Sequence, residues 1–176
     1  MNLKTPFYFF SSSELVFNYI TLTYTVYYLN LYTFSLICLL SFKTILFKFI
    51  KKLFIKYKFG KRPDKAFNCN VFNCGGKSNS GGMPSAHMGF MGIIATVIFT
   101  IYKVRKNKDI VYIYIILSLL TAISRYGLHC HTIPQIIIGY LLGVTLSIGY
   151  YYIDEYLDKN SKPYSEARSK FLSHFK

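Results

Sequence analysis

Acidic side chains are scarce in this chain: 7 Asp and Glu stand against 21 Lys and Arg over 176 residues, and tryptophan is absent. No carboxylates cluster beside its polar motifs, which argues against a catalytic metal centre and leaves metal-independent chemistry to other groups. Four cysteines, Cys38, Cys69, Cys74 and Cys130, do not make a zinc pattern, because Cys69 and Cys74 lack a second pair. Those two could close a disulfide if their loop faces an oxidising lumen. Glu14 interrupts the N-terminal apolar stretch and no small-x-small site follows, so a cleavable signal peptide is not expected. No internal repeat is visible.

What is abundant is apolar and aromatic. Hydrophobic residues make up 52% of the chain, mean hydropathy is +0.30, and there are 17 Tyr and 16 Phe. The formal charge of +14 would suggest nucleic acid in a soluble protein. Here the basic residues flank apolar spans and no nucleic-acid module is present, so the expected partner is a bilayer with its anionic headgroups.

From Val16 to Phe42 there are 27 residues without a charge, about 40 Å as helix, where one span needs about 20 residues. Extended to about Ser11 and Ile50, the stretch accommodates two spans turning near Asn30. Lys48, Lys52 and Lys56 then recur every four residues among apolar neighbours, as on a helix leaving the bilayer. Residues 59–83 form a glycine-rich loop whose Gly76-Lys77-Ser78 lacks the spacing of a P-loop. Three further spans are expected over 85–102, 110–124 and 133–153, followed by a polar tail over 154–176. The chain therefore reads as one all-α integral membrane domain, a bundle of four to five transmembrane helices with five preferred, carrying a motif-bearing loop over 56–84.

Histidines and arginines stand at the ends of these spans. The loop 59–83 enters one span and residues 126–132 follow the return span, so Arg62, Ser85, His87, Arg125 and His131 belong to one membrane face. Residues 110–124 cover only about 22 Å as helix, short of the hydrocarbon core, which holds Arg125 at or just inside the interface. A charged group there usually marks function. The guanidinium fork matches phosphate oxygens. Ser85 occupies an N-cap position with His87 in the first turn, and Thr132 and Pro134 open the helix after His131. Gln135 is positioned to bond a ring nitrogen of His131 and fix its tautomer. One histidine can then attack phosphorus while a second donates to the departing oxygen, with cations neutralising the phosphoryl charge. The reaction calls for no metal or other cofactor.

The strings Arg62-Pro63, Pro84-Ser85-Ala86-His87 and Ser124-Arg125-x5-His131-x3-Gln135 resemble the three motifs of the type 2 phosphatidic acid phosphatase (PAP2) superfamily, K-x6-R-P, P-S-G-H and S-R-x5-H-x3-D. The resemblance covers residues 56–135. It implies a PAP2-like membrane lipid phosphatase with His131 as nucleophile and His87 as general acid. Arg62, Arg125, Ser85 and a lysine would hold the phosphate. Ile55 stands where the motif has its lysine and Lys56 is one place later. Gln135 replaces the aspartate, and His131-Thr132 with Gln135 is similar to the dolichyl-diphosphatase branch. That branch implies a polyprenyl diphosphate substrate, with other lipid phosphates behind it. The resemblance also places the site on the lumenal or external face, in the endoplasmic reticulum or another cellular membrane. Residues 43–77 carry nine Lys and one Arg against a single Asp, which the positive-inside rule would put in the cytoplasm. Two alternatives are a weak or inactive relative that binds anionic lipid, and a lipid phosphotransferase using the same histidine pair.

Overall fold

Asn30 begins the first helix by accepting the Thr33 backbone N–H on its side-chain oxygen at 2.8 Å. In the computed structural model, which describes residues 30–66, 69, 81–106 and 108–174, helix α1 then runs from Leu31 to Phe54. Lys51 and Lys52 in its last turn complement the helix dipole. A 3-10 turn follows over Lys58–Gly60. Next come α2 (Ala86–Arg105), α3 (Lys108–Gly127), α4 (Ile133–Asn160) and α5 (Lys162–Ser173). Helices α1 to α4 are long and apolar enough to cross a membrane. The fold is all-helical among the described residues. The turn expected near Asn30 coincides with the start of α1, and the additional span expected before it lies outside the described residues.

Lipid is the solvent that suits the outer faces. Ile113, Ile116, Leu119 and Ile123 of α3 are each more than half exposed, a stripe at helical spacing that water would penalise and acyl chains would not. The inner contact of the bundle is between α2 and α4, and it is made by small residues. A methyl group added at Gly143 would strike the Gly89 carbonyl, and one at Gly139 the Ser85 carbonyl. Thr96 and Ser147 complete the stripe with a hydrogen bond across it. In a bilayer, where burial of apolar surface does not drive helices together, such close backbone approach supplies the attraction. It also sets the N-termini of α2 and α4 side by side, with the Ser85 amide donating to the Gln135 carbonyl at 3.1 Å.

Beyond Ile153 the structure departs from a polar tail. Helix α4 continues to Asn160 and α5 folds back against α1. Tyr164 packs on Tyr32 with ring centroids 5.8 Å apart, and Phe171 on the same ring at 5.0 Å. Buried Asp154 is satisfied at both oxygens, by the Tyr164 hydroxyl at 2.8 Å and the Arg168 Nε at 3.0 Å. Arg168 also reaches Asp158 at 2.8 Å. Asp154, Asp158 and Arg168 are partners of one another, so this part of the segment is packed structure rather than a solvated tail.

Candidate active site

Two turns and four helix ends meet opposite α5. After α3 the chain reverses in five residues, with the Arg125 carbonyl accepting the amides of Cys130 at 3.0 Å and His131 at 3.2 Å. His129 takes the left-handed backbone conformation (φ 53°) to close this turn and is itself exposed. His131 is turned inward and is 2% exposed; Arg125 is wholly buried.

The Arg62 guanidinium lies 3.3 Å from His131 Nε2 and donates to the Cys130 carbonyl at 2.9 Å. A guanidinium nitrogen can only donate, so Nε2 is the accepting, lone-pair nitrogen, and the ring proton of the neutral histidine sits on Nδ1. Nδ1 has no hydrogen-bond partner among the described residues, and neither does the buried Ser85 hydroxyl at the head of α2. Burial first, then the charges of Arg62, Arg125, Lys51 and His87, hold His131 well below its ordinary value near 6.5. It is neutral at pH 7. Arg62, pushed down to about 10 by burial, remains a cation.

Arg125 extends to the Cys69 carbonyl at 2.8 Å. Cys69 and Cys130 form a disulfide. The pairing suggested by the Cys69–Cys74 spacing is thus replaced by one between residues 61 apart, and Cys74 lies outside the described residues. The bond fastens the loop after Arg62 to the turn that carries His131, beside buried Ala66 and Leu128. Each of its two residues gives a carbonyl to one arginine.

The sites expected from the sequence are therefore largely brought together. Arg62, Arg125 and His87 all bear on His131, and Ser85 opens the neighbouring helix. Two residues are placed differently. Lys56 is exposed, its ammonium 5.3 Å from the Tyr57 ring centroid, and Lys51 is the lysine whose charge reaches His131. Lys51 precedes Ile55 by four residues, so it occupies the same face of α1 one turn earlier; that relation was available in the sequence. Lys51→Ala is expected to lower kcat/KM on a lipid phosphate by about 10–100-fold, and Lys56→Ala by less than about twofold, in a phosphate-release assay.

Gln135 is the second. Its bond to His131 is not formed. The amide nitrogen donates to the carbonyls of Phe59 at 2.8 Å and Lys61 at 2.7 Å, and its oxygen accepts the Thr132 amide at 3.2 Å. With both hydrogens taken, the side chain is committed to the segment leading into Arg62.

A buried neutral imidazole with its lone pair toward a guanidinium, ringed by further cations and a second histidine, suits attack on an anionic phosphoryl group. A family model described as the PAP2 superfamily matches residues 28–159. Comparison with curated proteins and with solved structures finds no match.

Proposed function

Because the chain belongs to the PAP2 superfamily, we propose that it hydrolyses a lipid phosphate at this cluster, through a phosphohistidine on His131 Nε2. The observation that carries the reading is the 3.3 Å approach of Arg62 to that nitrogen within a ring of cations. Arg62, Arg125 and Lys51 draw the phosphate in, and the Ser85 hydroxyl supplies a hydrogen bond to it. The Nε2 lone pair attacks phosphorus as the bond to the lipid oxygen breaks, and protonated His87 gives its proton to that oxygen. Neutral His87 then takes a proton from water, whose oxygen displaces the histidine, and inorganic phosphate leaves. No step requires a metal.

The string His131-Thr132 with Gln135, similar to the dolichyl-diphosphatase branch, favours a polyprenyl diphosphate over other lipid phosphates. One membrane-embedded domain suffices for this work, its substrate tail lying in the bilayer. The Cys69–Cys130 bond supports a lumenal or external site, since disulfides persist in oxidising compartments and are rare in the cytosol. On that reading the cations near the site serve substrate phosphate rather than set topology.

The test offers the purified full chain a polyprenyl diphosphate and a phosphatidate, with chelator present, and measures released phosphate. Release from both, faster from the diphosphate, is the expected result. Vesicle binding without release would overturn hydrolysis in favour of a passive lipid-binding role. Transfer of phosphate to an added alcohol in preference to water would make the protein a phosphotransferase.

A further inference from the structure

We propose that Gln135 is the clamp that positions Arg62, acting on the phosphate site through the backbone of residues 59–61 rather than through His131. The inference rests on the proposed role of Arg62 in phosphate binding. Gln135 is 1% exposed, and every polar atom of its side chain is engaged. Its two donors end on the Phe59 and Lys61 carbonyls. The Lys61 carbonyl belongs to the planar peptide that leads into Arg62, so holding that oxygen fixes where the Arg62 side chain departs.

The clamp is locked from two further sides. The Gln135 oxygen accepts the Thr132 amide at the head of α4, and its backbone carbonyl accepts the Ser85 amide at the head of α2. Gly82 lies flat against the amide; a methyl there would sit 2.7 Å from the Gln135 oxygen, while the Gly82 amide donates to the Gly60 carbonyl at 2.8 Å. One residue thus joins three of the segments that supply the site: residues 59–61, the head of α2 and the head of α4. Only an amide fits these partners. A carboxylate has no donor for two carbonyls, and a protonated carboxyl has one where two are needed. An aspartate is in addition one methylene short.

The consequence is contrary to simple motif logic, since Gln135→Asp does not improve the enzyme. The experiment compares wild type with Gln135→Met, which keeps length but no polar atom, and with Gln135→Glu, which keeps length and shape. It reads KM and kcat on a polyprenyl diphosphate, and backbone amide exchange over residues 57–62 in detergent-solubilised full chain. For Gln135→Met the expected result is a rise in KM of about 10–100-fold with kcat held within about threefold, and exchange faster by about tenfold. Gln135→Glu should fall between the two, and Gln135→Asp near Gln135→Met. A fall in kcat with unchanged KM and unchanged exchange would overturn the clamp and restore a role on His131. Should wild type release no phosphate from any lipid, the proposed reaction fails, while the exchange difference still decides the clamp.

Discussion

His131→Ala is expected to end phosphate release and to leave no phosphoprotein to trap. The substitution removes the nitrogen that presents a lone pair to the cationic cluster, and the other neutral group described there, the Ser85 hydroxyl, is a far weaker nucleophile than an imidazole. Arginine does not deprotonate, and the proposed mechanism casts His87 as the acid and base, a role that speeds phosphoryl transfer without being indispensable to it. A loss of at least about 10⁴-fold in kcat is expected when a covalent nucleophile is deleted. His87→Ala behaves differently: turnover slows, yet the first half-reaction proceeds and the phosphoprotein accumulates in a rapid quench. Labelling of His131→Ala at the wild-type level would place the nucleophile elsewhere.

The same nitrogen sets the acid side of the pH profile. Its affinity for a proton is depressed by burial and by the surrounding cations. The neutral, attacking form therefore persists as pH falls through 6.5, and the acid limb due to the nucleophile lies below that value. Stability carries the matching sign. The unfolded chain takes up this proton first, so the contribution of neutral His131 is complete above 6.5 and declines as pH falls below it. A melting temperature that rose on acidification over that range would contradict the burial of a neutral ring.

Reduction of the Cys69–Cys130 bond, or Cys130→Ser, is expected to cost both stability and activity. The bond closes a loop with a separation of 61 residues, for which the chain-entropy account gives about 4 kcal/mol. The functional loss has a local cause. The Cys69 carbonyl holds Arg125 and the Cys130 carbonyl holds Arg62, so opening the bond frees two backbone segments that aim the two guanidinium groups. We expect kcat/KM to fall by about 10–100-fold, largely through KM. The exposed free thiol Cys38 supplies the control, since Cys38→Ser should leave both quantities unchanged. Activity and melting measured with and without reductant decide the matter; a reduced protein with native KM would separate the disulfide from the site.

The sequence alone determined the class of molecule and placed its candidate site residues together at one end of the helices. Apolar runs are read by the bilayer one helix at a time, and counting crossings puts Arg62, His87, Arg125 and His131 at one end without knowledge of packing. The Asn30 helix start and the Thr132-Pro134 helix entry are likewise local, decided by hydrogen bonds within four residues. Tertiary structure alone decided between groups of equal chemistry. Lys51 and Lys56 are both lysines near the end of α1; spacing from Ile55 allows either, one turn earlier or one residue later, and the end of the helix at Phe54 leaves Lys51 as the one whose charge reaches His131. Spacing along the chain suggested Cys74 as the partner of Cys69, and the meeting of that loop with the α3–α4 reversal selected Cys130. Gln135 could serve a ring or a backbone equally well as an amide; the fold brings its nitrogen within 2.8 Å of the Phe59 carbonyl and 2.7 Å of the Lys61 carbonyl, and both hydrogens go there. Partner choice depends on which surfaces packing brings together, and no spacing along a chain encodes it.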